Sequence, residues 1–249
     1  FADGGLLALG CNIWNLGIYP CFIAYPLIYK PIAGNGTSTQ RLSMAAILGA
    51  LIALQLGAFS VVLETLLSGK SELPFGTFVL FMQPIHLAIG LVEGFVTAGI
   101  ISYVQNARPE FLENNDTSRP QASDIPVKNI LIAFVIITGI TGGTLSWFAS
   151  TQPDGLEWSI EKITGKGELA LQEKGIASVL QGIQEKTAFL PDYNFQPTSP
   201  AAARDEKPAS WPAVAAGTSV AGLLGSTIVL GLVLLIGFGI RSFKKRQSS

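Results

Sequence analysis

The chain of 249 residues is 49 % hydrophobic and only 13 % charged, with a mean hydropathy of +0.45, which excludes an ordinary soluble domain and predicts an all-α membrane protein. A formal net charge of −1 leaves no basic face for nucleic acid. The two cysteines, Cys11 and Cys21, lack the paired spacing of a zinc or redox motif and read as small membrane-core residues.

About five transmembrane helices and one external, partly helical segment are expected, in the following order. The chain opens at Phe1 without a methionine or a basic leader, so the reading expects a truncated or processed N-terminus. Residues 4–29 are long enough to span but contain Asn12, Asn15, Pro20 and Pro26, which predicts a kinked or broken helix. The two asparagines either satisfy carbonyls freed by the prolines or line a polar site. A polar loop, 30–41, leads to a second span over 42–67, where Ala53 and Gly57 form a close-packing pair and Glu64 is placed at the headgroups.

The third span, 75–105, carries the only histidine of the chain and an acidic residue inside a long apolar run. His86 and Glu93 fall about two turns apart on one face, and ionisable groups inside a membrane are expensive enough that they face a bundle interior or a polar path. They either mark a substrate path or serve as interhelical hydrogen-bonding groups. Gly90 and Gly94 remove bulk so that a neighbouring backbone can approach. His86 lies about 11 residues, or roughly 16 Å, from the start of this helix, close to the bilayer midplane.

A polar linker, 106–127, separates this core from a second module, 128–249. There a shorter span is expected at about 129–148, with Gly139 and Gly143 as its contact pair, and a last span at about 217–240. Between them, residues 151–212 form the one sizeable extramembrane segment. Asp154 has the position of a helix cap with Glu157 reaching back, Leu156, Ile160 and Ile163 follow at helical spacing, and Gly165 can stop the helix. Residues 197–212 read as a flexible tether. Lys30, Arg41, Arg108, Arg119, Lys128, Arg241, Lys244, Lys245 and Arg246 fall on one side if the spans alternate, against Lys70 in the short segments opposite. The positive-inside rule makes that side, and the C-terminus, cytoplasmic, and segment 151–212 external.

No Gly-x-x-x-x-Gly-Lys-Ser/Thr loop is present, so the chain has no means of hydrolysing ATP in the P-loop manner, and a single histidine excludes a His-Glu-x-x-His protease. The reading is of a protein that is not an enzyme. Gly4, Gly5, Leu9, Gly10 and Asn12, followed by His86, Ile89, Gly90, Glu93, Gly94, Thr97 and Ala98, resemble the two signatures of the CbiM/NikM family. These are substrate-binding membrane subunits of energy-coupling-factor cobalt and nickel transporters. The stretch PDGLEWSIEKITG resembles the PDGLE motif of the small CbiN/NikN-type partner, often fused behind such a core. Residues 1–105 then correspond to the C-terminal portion of the core.

The resemblance implies import of Ni²⁺ or Co²⁺, with a lean to nickel from Asp3-Gly4-Gly5, across a prokaryotic plasma membrane. It implies no cofactor, and as partners a transmembrane coupling (T) subunit and cytoplasmic ATPase subunits. In the family the metal is held by a Met-His-Ile-Pro-like N-terminus and a second early histidine, a nitrogen-rich set suited to either ion. None of these is in this chain, so the primary ligands are expected in a missing N-terminal part. His86, Glu93, Asn12 and Asp3 remain as supporting or pathway residues. The alternative is a membrane scaffold or assembly protein whose polar residues only join helices.

Overall fold

The computed structural model describes residues 5–69, 73–112, 126–149, 152–166, 175–188, 190–193, 195 and 211–247. Asp3, most of the linker and the tether over 197–210 fall outside them. All regular elements among the described residues are helical. Four helical stretches are long and apolar enough to cross a membrane, Leu7–Ala33, Thr39–Ser68, Phe75–Ala107 and Ala216–Phe243, and a fifth, Val127–Gly143, is shorter. The chain divides into two compact units, one of residues 2–130 with 152–184, the other of 131–151 with 185–249.

In the first unit, α1 (Gly5–Asn12), a π-helical stretch (Ile13–Tyr29) and α2 (Lys30–Ala33) run on from one another. The expected break is absent. Asn12 and Lys30, at the two ends of the π-helical stretch, both keep right-handed helical backbone, and the Lys30 N–H bonds to the carbonyl of Tyr25, five residues back. Pro20 and Pro26 lie inside this stretch. In an α-helix each proline ring would strike the carbonyl four residues earlier; a wider turn moves that carbonyl aside, and the rod continues.

After a turn at Gly34 and Gly36, both at positive φ, Ser38 caps α3 (Thr39–Ser68) by accepting from Arg41 N–H at 3.4 Å. Arg41 also turns back to the end of α2, donating through Nε to the Ile32 carbonyl at 2.9 Å. That places a cation at a helix C-terminus, where the backbone dipole favours it. Gly69, at φ 60°, closes α3 in the left-handed conformation, and Pro74 precedes α4 (Phe75–Ala107).

The pair α3 and α4 is the centre of this unit. Lipid tails are as apolar as leucine, so association must come from close packing and polar contacts. Both are present. A Cβ on Gly94 would lie 2.8 Å from Ile47 Cα, and one on Gly90 would lie 3.3 Å from Leu51 Cα, so the two glycines admit the α3 backbone. Gln55 and Gln83 each donate to the other's main-chain carbonyl, at 3.0 and 3.4 Å, and the Ser43 and Ser102 hydroxyls meet at 3.2 Å. Ala53 and Gly57 are buried, and the partner of Gly57 is the π-helical stretch: its Cβ would meet the Asn15 carbonyl oxygen at 2.7 Å.

In the second unit, α5 (Val127–Gly143) has 17 residues, about 26 Å of helix, and a 3₁₀ turn over Leu145–Phe148 extends it. It meets α8 (Ala216–Gln247) at Gly142 and Gly222, where a Cβ on Gly222 would sit 2.7 Å from the Gly142 carbonyl oxygen. The expected pair, Gly139 and Gly143, is not the contact: a Cβ on either meets nothing within 4 Å. Gly143 contributes instead through its carbonyl, which accepts from Ser219 Oγ at 2.5 Å, while Trp147 Nε1 donates to the same hydroxyl oxygen at 2.7 Å.

Candidate functional site

Two further helices lie between the spans of the second module, α6 (Gly155–Thr164) and α7 (Ile176–Thr187). The start of α6 is written in its sequence. Asp154 accepts from the N–H groups of Leu156 and Glu157, both at 2.8 Å, satisfying two donors that a helix start leaves open, and Gly165 at φ 76° ends the helix. Replacing Asp154 by alanine should cost about 1 kcal/mol of helix stability, measurable as faster hydrogen exchange across α6.

This helix does not stand apart from the spans. Leu156, Ile160 and Ile163 pack on Ala58, Val62, Phe78 and Met82, and Trp158 meets Phe81 edge to face with centroids 5.6 Å apart. Gly155, its first residue, is buried against His86: a Cβ there would lie 2.9 Å from His86 Cε1 and 3.3 Å from Nε2. The imidazole is held in place because its Nδ1 lies 2.8 Å from the Met82 carbonyl oxygen. A carbonyl can only accept, so Nδ1 carries a proton, and Nε2 is the ring nitrogen turned toward Gly155 of α6. The third expected span and the capped helix therefore meet at the single histidine.

On another side of α3 a polar group is built where apolar packing would be expected. Asn15 is 4 % exposed, and its Nδ2 donates to Glu64 Oε2 at 3.3 Å. Ser60 donates to Glu64 Oε1 at 3.2 Å, and Trp14 Nε1 donates to the Ser60 hydroxyl at 3.2 Å. Glu64, placed by sequence at the headgroups, is thus engaged by the π-helical stretch, although it lies one turn from the end of α3. The Asn15 Oδ1 is buried and has no hydrogen-bond partner among the described residues, as does the Oε1 of Gln105, a residue 7 % exposed.

Asn15 also lines a cavity of about 740 Å³ between the π-helical stretch, α3 and α4, whose walls include Tyr25, Tyr29, Ala53, Glu93 and Thr97. Glu93 has no ion-pair or hydrogen-bond partner for its carboxylate among the described residues, while its main-chain carbonyl accepts from Thr97 Oγ1 at 2.8 Å. His86 and Glu93, about two turns apart on α4, thus serve different surroundings: His86 the α6 contact, Glu93 the cavity. Asn12 ends α1 and is half-buried, and Asp3 lies outside the described residues. Among the described residues no three His, Cys, Asp or Glu side chains come together. Sequence reasoning left Ser60, Gln105 and Gly155 without a role; the one signal for Gly155 was its place just inside a capped helix, where alanine would fold better.

Residues 1–111 match the family model described as cobalt uptake substrate-specific transmembrane region, and residues 128–242 match that of the PDGLE domain. Among curated proteins the chain is 27 % identical over 248 residues to a protein of Archaeoglobus fulgidus named as a fused nickel transport protein NikMN, covering 98 % of this chain and 68 % of that one. It is 32 % identical over 124 residues to a metal transport protein of Haloquadratum walsbyi, covering 47 % of this chain and 53 % of the relative. It is 30 % identical over 117 residues to a cobalt transport protein CbiM of Methanococcus voltae, covering 45 % and 50 %. The chain thus spans about half the length of the latter two. No solved structure matches. The chain thus carries a CbiM-type transmembrane region over residues 1–111 with a PDGLE domain joined behind it over residues 128–242.

Proposed function

We propose that this chain is the membrane component of an ATP-driven energy-coupling-factor importer for nickel or cobalt ions, which captures the metal at the external face of a prokaryotic plasma membrane. The observation that carries this reading is the seating of α6, from the PDGLE domain, on α3 and α4 of the CbiM-type region, with Gly155 against His86. The region matched by a cobalt-uptake model and the PDGLE domain share one packed surface there. The side on which α6 rests supports the orientation: Val62 and Phe78, its partners, flank the short turn after Ser68, on the side opposite the basic loops. The C-terminus with Lys244, Lys245 and Arg246 then lies in the cytoplasm.

A transmembrane coupling subunit and ATPase subunits supply the energy, since the chain carries no P-loop. The scaffold reading accounts for the Gln55–Gln83 and Ser43–Ser102 contacts but gives no task to Glu93 or to the unpartnered oxygen of Asn15. The test is nickel and cobalt uptake by cells expressing the full-length protein with and without its coupling and ATPase partners. Uptake is expected only when all are present, and uptake at full rate without them would contradict the reading.

A further inference from the structure

Helices α6 and α7 belong to one segment and share an amphipathic pattern, yet they spend it differently. Leu156, Ile160 and Ile163 of α6 pack on α3 and α4, and Gly155 and Ser159 are buried. In α7 no described residue is buried, and none joins an apolar cluster of the core. Ile176, Val179 and Ile183 are instead 80 %, 63 % and 44 % exposed. At about 100° per residue the three lie within about 60° of one another, with Lys186 at the edge of their stripe and Glu185 roughly opposite. The apolar face of α7 thus points away from the protein.

The level at which α7 lies is set at its other end. The Gln184 side chain rests on Gly5, where a Cβ would come 2.7 Å from Gln184 Nε2. Gly5 opens α1 just before the membrane-crossing stretch Leu7–Ala33. The last turn of α7 is therefore at the mouth of a span, where hydrocarbon begins. By the helical spacing Gln184 stands about 100° from Ile183, so one flank of α7 meets the protein while its apolar stripe looks past it.

Two properties of α7 select lipid as what covers that stripe. A helix of 12 residues is marginal in water by itself, and burial of its apolar face is what would hold it. The stripe is aliphatic throughout, Ile, Val and Ile, without the Trp, Tyr or Arg that anchors a protein interface. Its polar residues include one acid, Glu185, and one base, Lys186, so the attraction is apolar and asks for no anionic headgroup. We propose that α7 is an interfacial helix, lying along the bilayer surface beside the start of α1 with Ile176, Val179 and Ile183 among the lipid chains. Glu185 then faces water, and Lys186 reaches the headgroups from the edge of the stripe.

The test reads depth directly. Nitroxide labels are attached one at a time at Val179→Cys and Glu185→Cys, in the full chain carrying Cys11→Ala and Cys21→Ala and held in phosphatidylcholine nanodiscs. Relaxation by oxygen, which concentrates in lipid, is compared with relaxation by chromium oxalate, which stays in water. The ratio of oxygen to oxalate accessibility should be several-fold higher at 179 than at 185. Equal ratios at the two positions would put the stripe in water and overturn the proposal. An immobilised label at 179 that neither reagent reaches would mean that protein covers the stripe, and would overturn it as well. Hydrogen exchange on the double variant Val179→Asp, Ile183→Asp supplies a second reading without labels. Protection across α7 should fall by about ten-fold or more, with α6 unchanged, because two carboxylates replace the side chains that hold the helix in the interface. Undiminished protection in that variant would show that the stripe does not hold α7.

Discussion

Replacing Gly155 by valine will release α6 from the α3–α4 pair. Even a single Cβ at this position would fall 2.9 Å from His86 Cε1 and 3.1 Å from Ile89 Cδ1. The isoleucine methyl is the free end of a flexible side chain and can turn aside. The imidazole cannot do so without giving up its bond to the Met82 carbonyl, and overpacking of this kind costs about 1–3 kcal/mol. Alanine recovers up to about 1 kcal/mol of helix propensity over glycine, so the alanine variant should be milder than the valine one. A helix of 10 residues does not persist alone in water, so α6 unfolds when it undocks.

Hydrogen exchange read by mass spectrometry on the full chain should therefore show protection across α6 falling by about ten-fold or more in Gly155→Val, with α8 unaffected. Adding His86→Ala empties the space under residue 155 and should restore most of the protection. Unchanged exchange in the valine variant, or no recovery in the double variant, would show that the glycine is not there for the histidine. Metal uptake measured on the same pair of variants then asks whether the seating of α6 is needed for transport.

What could be read from the sequence divides by range. The cap of Asp154, the stop at Gly165 and the extents of the long helices depend on residues within a turn or two, and these were legible. The long span over 4–29 was legible as a span but not as an unbroken helix, because proline rules describe an α-helix and the chain answers with a wider turn. The contact glycine of α5 was misplaced by one residue, from Gly143 to Gly142, since small-residue spacing marks a face of a helix without naming its partner. Helix α7 went unread although Ile176, Val179 and Ile183 stand at helical spacing.

The candidate site was half legible for the same reason. An ionisable residue in an apolar run announces itself, which is how His86 and Glu93 were singled out. That His86 would lie under Gly155, some 70 positions later, is a fact of tertiary packing, and so is the union of Trp14, Asn15, Ser60 and Glu64 across two helices. Glu64 near a helix end reads as interfacial until the helix beside it is known to carry an asparagine at the same level.

Adding one methyl group at Gly94 will loosen the central helix pair more than adding it at either neighbouring glycine of α4. The Cβ of Gly94→Ala would stand 2.8 Å from Ile47 Cα and 3.1 Å from the Ile47 carbonyl oxygen, both main-chain atoms that only a shift of the whole of α3 can move. At Gly90 the nearest atoms are 3.3 Å away and two of the three belong to leucine side chains, which can adjust by a few tenths of an ångström. At Gly99 nothing lies within 4 Å. The expected order is a loss near the upper end of about 1–3 kcal/mol for Gly94→Ala, a smaller loss for Gly90→Ala, and no loss for Gly99→Ala, where alanine even gains up to about 1 kcal/mol in propensity. Displacing α3 also lengthens the Gln55–Gln83 and Ser43–Ser102 contacts, already at 3.0–3.4 Å, so the penalty at Gly94 grows beyond its own clash. Unfolding in mixed detergent micelles, followed by helical circular dichroism, gives the three stabilities under one condition. Equal stabilities for all three variants would mean that α3 and α4 are not held at the separation their glycines allow.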